Sequence, residues 1–481
     1  IFDEALRSVD AARAVRCAVS LAQDRLTIID TNFDLAASAR KIYSVALGKA
    51  GGMMAMALDE ILGERLSNGI VSTSSAETLP LSARWQAFAG GHPLPNKASL
   101  AAARAAFALL RRADGENSAL VIFLVSGGGS AMMEWPRDEA LTLEELRETN
   151  RALVSCGAGI AEINTVRRSL SAVKGGGLSA CAPHAAQITL IISDTAPGDA
   201  LNVASGPSLQ PVPDGSDDAA LIIERYGLAA RLPASVVRSI NEASRRQTVT
   251  APTSSLRRHY VLLDNESALD AAAQSARARG FRVEIARDIN DQSIAEGCAL
   301  LVSRLCELRR RTPAEQSCAL ISGGEFSCPV RGEGIGGRNT ETVLRCALEL
   351  AAHAKEHPPD APPFVILSAG TDGIDGNSPA AGALCDELTL RRAREMNLDA
   401  ASSLAASDAY TFFHTLGDAL HTGPTGTNVR DLRIFLSVQS PKSKISFSTL
   451  DFGLWTLRIV RSRRSNARCR LRRSSRRAGF R

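Results

Sequence analysis

The sequence predicts an α/β protein of two domains with a largely parallel sheet, a cleft between the domains and a ligand site at the carboxyl ends of its strands. Three observations lead there. At 481 residues the chain exceeds what one hydrophobic core usually serves. Short β-branched runs alternate with Ala/Leu-rich helical stretches, the pattern of βα units. Five of those runs end directly in Gly, Ser, Asp or Lys, and open parallel sheets bind ligands beyond the carboxyl ends of their strands.

The five runs are Tyr43–Leu47, Ala119–Val125, Gln187–Ile192, Cys318–Ile321 and Phe364–Leu367. They are followed by Gly48-Lys49-Ala50, Ser126–Ser130, Ser193-Asp194, Ser322–Glu325 and Ser368–Asp372. After Lys49 the rows Met53-Ala57-Ile61 and Met54-Leu58-Leu62 repeat at i, i+4 and predict an amphipathic helix whose N-terminus lies beside the lysine. Thr142 and Glu145 form a capping-box pattern for a helix to about Cys156, and a second helical stretch runs from about Ile160 to Val173, ended by Gly175–Gly177. A further helix is expected to open near Arg338 and run through Leu350.

Pro211, Pro213, Asp214-Gly215 and the polar run Ser244–Ser255 form a compositional dip. The resulting division is 1–240 for the first domain, 241–315 for a connecting region that contributes to the α/β body, 316–436 for the second domain and 437–481 for a tail. The tail holds thirteen Lys/Arg against the single acid Asp451, a local +12, which leaves −7 for the rest of a chain whose formal charge is +5. Its Ser/Arg texture lacks apolar periodicity, so it is expected to be a disordered basic extension or the product of a mistaken gene model.

A body of that sign exerts no global pull on nucleic acid or an anionic membrane, so any bound anion needs a local set of donors. Aromatic residues are 4% of the chain, too few for base-stacking platforms. Nucleic acid is therefore expected to bind weakly, through the tail, if at all. No apolar run approaches the roughly 20 residues of a membrane-spanning helix. The ten cysteines are scattered with no CxxC, and the seven histidines include no HExxH. The expected compartment is the cytoplasm; a chain opening at Ile1 leaves an organellar presequence open.

The strand-end loops carry the residue types that phosphoryl transfer requires: cations and N–H donors for phosphates, carboxylates for Mg²⁺, and a group to orient the attacking hydroxyl. Gly48-Lys49 is not a Walker A motif, because Tyr43 stands where its first glycine belongs. Ser126, Gly127, Gly128, Gly129 and Ser130 follow an apolar strand, where glycines let backbone N–H groups converge on an anion. They do not match GxGxxG; a plain tight turn is the alternative. Asn164, Arg167, Arg168 and Lys174 fall at helical spacings and could grip an anion or form a solvated basic face. Asp194 ends a strand and could face the cleft. In the second half, Gly323, Gly324 and Glu325 precede Arg338 and Asn339, and an arginine there could hold a carboxylate bidentately. Asp372 and Asp375 lie three apart, a pairing that suits Mg²⁺ or an Asx-turn loop. Thr422–Asn428 is rich in hydroxyl and amide donors.

Taken in order, the blocks Gly48-Lys49-Ala50, Gly91-His92-Pro93, Ser126–Ser130, Glu162–Gly176, Ser193–Pro207, Gly323–Glu325, Gly336–Glu341, Thr371–Asp375 and Thr422–Asn428 resemble the glycerate 2-kinase family, from about Ile1 to Leu436. In that family a glycerate kinase domain is followed by a MOFRL-type domain. The resemblance implies two α/β domains, an N-terminal Rossmann-like parallel sheet with helices on both faces and a second α/β domain, with phosphorylation of D-glycerate by ATP to 2-phosphoglycerate, with Mg²⁺, in the cleft between them. Carried over by motif, Lys49 would contact the transferring phosphate, Gly127–Gly129 would hold an anion, Asp194 would be catalytic or metal-directed, and Arg338 would face them from the second domain. The remaining roles are assigned as Ser126, Ser130, Lys174, Gly323, Gly324 and Glu325 to the nucleotide phosphates, Asn164, Arg167 and Asn339 to substrate, and Asp372 and Asp375 to metal. Expected partners are glycerate and ATP, with a homodimer left open. Asn290–Leu300 departs from the family's usual Gly-Glu-Ala-Arg, and Thr340 stands where Gln is usual. The competing activity is an NAD(P)-dependent hydroxypyruvate reductase, for which the GxGxxG fingerprint is missing.

Overall fold

Strands that read as near-continuous apolar runs need cover on both faces, and the first half of the chain folds accordingly. The computed structural model describes residues 1–36, 40–74, 76, 79–116, 118–209, 218–245, 255–356 and 363–438. The basic tail beyond residue 438, with every expectation attached to it, lies outside the described residues. A short antiparallel meander, β1 (Val19–Ala22), β2 (Arg25–Ile28) and β3 (Thr31–Asp34), precedes the first large sheet. That sheet contains β4 (Ile42–Leu47), β5 (Leu66–Thr73), β6 (Trp85–Ala89), β7 (Leu120–Ser126), β8 (Ala186–Ile192) and β9 (Arg257–Leu263) in the order β6-β5-β4-β7-β8-β9, every neighbouring pair parallel.

Alternate residues of these strands enter two cores. Ile42, Ala46, Ile122, Leu124 and Leu190 meet Met54, Leu58 and Leu62 of the helix Gly51–Leu62 on one face. Tyr43, Val45, Val121 and Phe123 meet Ala102, Ala106 and Leu110 of the helix Lys97–Asp114 on the other. The expected Rossmann-like sheet with helices on both faces is thus present. Its order reverses between β4 and β7, and at such a switch point the two following loops diverge and leave a crevice. Those loops are Gly48-Lys49-Ala50 and Ser126–Ser130.

The first sheet is not complete at residue 240, because its edge strand β9 comes from the 241–315 stretch. Two helices, Ala219–Arg225 and Ala234–Arg245, occupy part of the compositional dip, and residues 210–217 and 246–254 there lie outside the described residues. These helices pack Ile222, Ile223, Val236 and Ile240 against Leu146, Leu153, Ile163 and Val166, forming a separate helical cluster on the first lobe. In it the helix Leu143–Ser155 starts at the Thr142–Glu145 capping box as expected. The helix Ile160–Leu170 stops three residues earlier than its pattern suggested, since Ser171 turns extended to bridge Pro136.

The second sheet departs from the parallel expectation. Its strands β10 (Arg282–Ile285), β11 (Cys318–Gly324), β12 (Phe364–Gly370), β13 (Gly382–Asp386), β14 (Ala419–Leu420) and β15 (Asp431–Ser437) run in the order β10-β11-β15-β12-β13-β14. Only β10 and β11 are parallel; the other pairs are antiparallel. The final strand inserts between β11 and β12, which places Asp431, at its start, level with Gly324 and Gly370 at their ends. Leu320, Ile366 and Phe435 face the helices Ile294–Arg310 and Arg338–Glu356. The opposite face, with Ala319, Ile321 and Ile434, is covered by the helix Asn265–Ala278 and by Ala5 of the N-terminal helix Phe2–Ser8. The beginning of the chain therefore belongs to the second core. Residues Ile1–Ser440 form one compact unit. Among the described residues no helix is long and apolar enough to cross a membrane.

Candidate active site

The site is built first from the two loops at the switch point. Gly48 adopts φ +108°, and a side chain there would meet the Ser126 carbonyl at 2.3 Å, so only glycine permits the close approach. The Lys49 N–H then donates to the Gly127 carbonyl at 2.8 Å, and the Ala50 N–H to Ser126 Oγ at 3.0 Å. Ser126 is fully buried and its hydroxyl is spent inside this stitch, with Leu47 O as its acceptor. It shapes the loop and does not face a ligand. With its backbone so fixed, Lys49 reaches across to the second lobe, where Nζ pairs with Asp372 Oδ2 at 2.6 Å. The two side chains retain 23% and 13% exposure.

Asp194, at the end of β8, lies over Gly127. A Cβ on that glycine would stand 1.8 Å from Asp194 Oδ2 and 2.9 Å from Nδ2 of Asn428, which itself donates to Asp194 at 3.4 Å from the second lobe. Burial raises the Asp194 carboxyl above the usual carboxylate range, although Lys49 and Arg430 pull it the other way. Beside Gly128 sits His92, whose imidazole is pushed down to about 4 by burial and by the Lys49 charge, so it is neutral near pH 7.

Asp194, His92 and Gly128 border a cleft of about 630 Å³, whereas the Lys49–Asp372 pair is not among the residues that line it. From the first lobe it receives His92, Gly128, Ser130, Asn164, Arg167 and Asp194; from the second, Asp291, Glu325 and Arg430. Ser130 and Asn164 share the Ser205 hydroxyl, at 3.0 Å each, and Arg167 Nε donates to Asn150 Oδ1 at 2.7 Å. Gly129 packs against Ala204 and Leu47 beneath the loop.

Other predicted site residues lie elsewhere. Lys174 is 2% exposed and ion-paired with Glu134, at 6%, inside the first lobe, so no phosphate can reach it. A charge pair so placed is sensitive to losing one member. Glu134→Ala is expected to destabilise the fold by about 3–5 kcal/mol, because it strands the lysine, and urea unfolding checks it; an unchanged midpoint would contradict the pairing. Gly323 and Gly324 have structural work: side chains there would strike Asn265 Oδ1 at 1.9 Å and the Asn290 carbonyl at 2.4 Å.

Arg338 does not line the cleft. Its Nε and Nη2 hold Asp431 at 2.6 and 3.2 Å, and Nη2 also meets Glu325 Oε1 at 2.9 Å, so it reaches the cleft only through Glu325. Its remaining face borders a second cavity of about 400 Å³ within the second lobe, beside Phe326, Gly336 and Asn377. Asn339 is buried between Asp431 and Ser368, to which its amide donates at 2.9 Å and from which it accepts at 2.6 Å. Burial of Glu325 raises its carboxyl to about 7 even though Arg338 opposes the shift.

Asp375 caps the helix Arg338–Glu356. Its oxygens accept from the Asn339 N–H, the Thr340 N–H and the Thr340 hydroxyl at 2.8, 2.9 and 2.8 Å, so this buried carboxylate is committed to the start of the helix. Asp375→Asn puts an NH₂ donor where an acceptor is needed. It is expected to cost about 1–3 kcal/mol, read as a lower Tm that added Mg²⁺ does not restore; rescue by Mg²⁺ would return Asp375 to the metal. Among the described residues no group of three or more His, Cys, Asp or Glu side chains could cage a metal ion. Mg²⁺ needs no such cage, since one or two carboxylates and the substrate's phosphates suffice. The half-buried Asp194 and the nearby Asp372 meet that requirement; Asp375 does not.

Sequence reasoning gave no individual role to His92 or Asn428, although both fall in the quoted blocks Gly91-His92-Pro93 and Thr422–Asn428, and none to Arg430 or Asp291. Asp291 comes from the Asn290–Leu300 segment that departs from the family pattern.

Comparisons with known proteins agree with this architecture. Residues 1–241 match the family described as a domain of unknown function (DUF4147), and residues 318–431 match the MOFRL family. A D-glycerate 2-kinase from Thermotoga maritima is 36% identical over 400 residues, 83% of this chain and 91% of that protein. A protein from Agrobacterium vitis with the provisional name hydroxypyruvate reductase is 36% identical over 395 residues, 82% of this chain and 86% of its own length. The crystal structure of a glycerate kinase from Thermotoga maritima superposes with a TM-score of 0.73 at 32% identity, covering 91% of this chain and 97% of the other.

Proposed function

Because this chain belongs to the glycerate 2-kinase family, we propose that it transfers the γ-phosphoryl group of ATP to the 2-hydroxyl of D-glycerate, releasing 2-phosphoglycerate and ADP. The observation that carries this reading is the meeting of Lys49, Asp194 and Asp372 from two lobes at the switch point of the first sheet. In the reaction a bond forms between the glycerate 2-oxygen and the γ-phosphorus, the bond from that phosphorus to the β–γ bridging oxygen breaks, and ADP leaves with the electron pair. Asp194 takes the hydroxyl proton. Its raised carboxyl is closer in basicity to neutral pH than an exposed aspartate, which favours that role. Lys49 leaves Asp372 to meet the phosphoryl oxygens, and the backbone of Gly127–Gly129 supports the phosphate chain. Bound Mg²⁺ would supply charge neutralisation on the nucleotide phosphates, and Asp372 is the carboxylate that would hold it. His92, kept neutral, adds no charge that would compete with Lys49.

The alternative activity, reduction of hydroxypyruvate by NAD(P)H, shares a metabolite pair with this one and the name of the Agrobacterium vitis relative. The switch-point loop Ser126–Ser130 lacks the GxGxxG spacing for a dinucleotide. Incubation with glycerate, ATP and Mg²⁺, and separately with hydroxypyruvate and NADH, separates the two. ADP together with 2-phosphoglycerate is expected; NADH oxidation without ADP formation would sink the kinase reading.

A further inference from the structure

We infer that Arg430 is the residue that grips the carboxylate of the 2-hydroxy acid and so sets the enzyme's substrate class, an inference that rests on the kinase reading above. Arg430 stands just before β15 and lines the cleft from the second lobe. Its side chain is 8% exposed, yet its Nε has no hydrogen-bond partner among the described residues. A buried guanidinium N–H without an acceptor is costly, and a ligand oxygen would satisfy it. Among the described residues the anion on its fork is Asp291, paired through Nη2, whose own side chain is 44% exposed and can yield to solvent.

The backbone supports the same conclusion. Arg430 has φ +70°, a left-handed conformation that an arginine adopts only at an energetic cost. Such strain persists where the surrounding structure enforces it. Here the Val429 N–H donates to Thr371 Oγ1 at 2.9 Å, and the Thr371 hydroxyl and N–H both donate to the Arg430 carbonyl, at 2.7 and 3.0 Å. The Arg430 N–H in turn donates to Asn428 Oδ1 at 3.3 Å, and the amide end of that same side chain donates to Asp194. One asparagine therefore ties the proposed proton acceptor of the first lobe to the arginine of the second.

That linkage suits the substrate's geometry. A 2-hydroxy acid carries its reacting hydroxyl and its carboxylate on adjacent carbons, so the carboxylate receptor must lie next to the group that takes the hydroxyl proton. Arg430 and Asp194 line the same cleft and are joined through Asn428, which meets this requirement. Arg338 does not, because Asp431 and Glu325 occupy its fork. A planar guanidinium matches a carboxylate in a way that a lysine cannot.

The test compares wild type with Arg430→Asn and Arg430→Lys. Asparagine tolerates the left-handed backbone, so the first variant is expected to fold, with thermal unfolding as the control. D-Glycerate binding by calorimetry, and the KM values for D-glycerate and for ATP, are measured on each. In Arg430→Asn the glycerate Kd and KM are expected to rise at least about thirtyfold, the loss of a charge-assisted pair, with the ATP KM unchanged. Arg430→Lys is expected to fall between, keeping the charge without the fork. Wild-type glycerate affinity in Arg430→Asn overturns the inference, as does a rise in the ATP KM in place of the glycerate KM. If wild type binds glycerate and Arg430→Asn does not, but no phosphoglycerate forms, the kinase reading fails and the Arg430 assignment stands. If glycerate does not bind wild type, both fall.

Discussion

Replacing Lys49 with alanine is expected to lower kcat at least about a hundredfold, the low end for removing a preorganised charge from a transition state. The expectation follows from how the lysine is held. Its backbone is fixed by the Gly127 carbonyl and by the glycine at 48, so the ammonium is aimed across the lobes before substrate arrives. In the free protein its partner is Asp372, a partly exposed pair whose own contribution to stability is modest. The fold should therefore survive the substitution, and a Tm within a few degrees of wild type is the control. Lys49→Arg should recover only part of the rate, since a planar fork does not reproduce a point charge at one oxygen. Turnover near the wild-type rate in Lys49→Ala would remove the lysine from the reaction.

Asp194→Asn is expected to reduce kcat by about 10²–10⁴-fold, the range for losing a general base. The asparagine keeps the shape that Gly127 accommodates and removes the charge, so a packing fault is a poor explanation for the loss. A pH profile gives the sharper reading. The base acts only when ionised, so activity falls as the pH drops through its folded-state pKa. Burial raises that pKa, which moves the acid limb of kcat/KM above the ordinary aspartate value of about 3.9. The limb should disappear in Asp194→Asn. An unchanged acid limb would assign the titration to another carboxyl, of which Glu325 is the obvious candidate, and would withdraw the base role from Asp194.

The legible part of the site is the part that local chemistry specifies. Lys49 and Asp194, the proposed cation and base, were readable because each stands two residues past a buried apolar strand, and the glycines at 127 and 128 because the first has no room for a side chain and the second is left-handed, at φ +81°. Arg338, Asn339 and Asp375 had the right residue types for a site, yet the structure uses them to cap a helix and to neutralise one another around Asp431. Lys174 fell at a suitable helical spacing, but the helix ends at Leu170 and the lysine turns inward to Glu134. In each of these cases the partner is distant in sequence, and no periodicity reports it.

Taken alone, the sequence determined the alternating elements, the parallel first sheet and the strand-end loops at its switch point, because those depend on short-range patterning: burial on both faces, a capping box, glycines at the ends of strands. Tertiary structure alone decided that the first helix of the chain completes the second core, that β9 closes the first sheet, and that the last strand enters antiparallel between β11 and β12. The last of these carries Asn428 and Arg430 to Asp194. Strand order within a sheet is set by which surfaces can be buried together across hundreds of residues, a competition among whole faces that no window of sequence records.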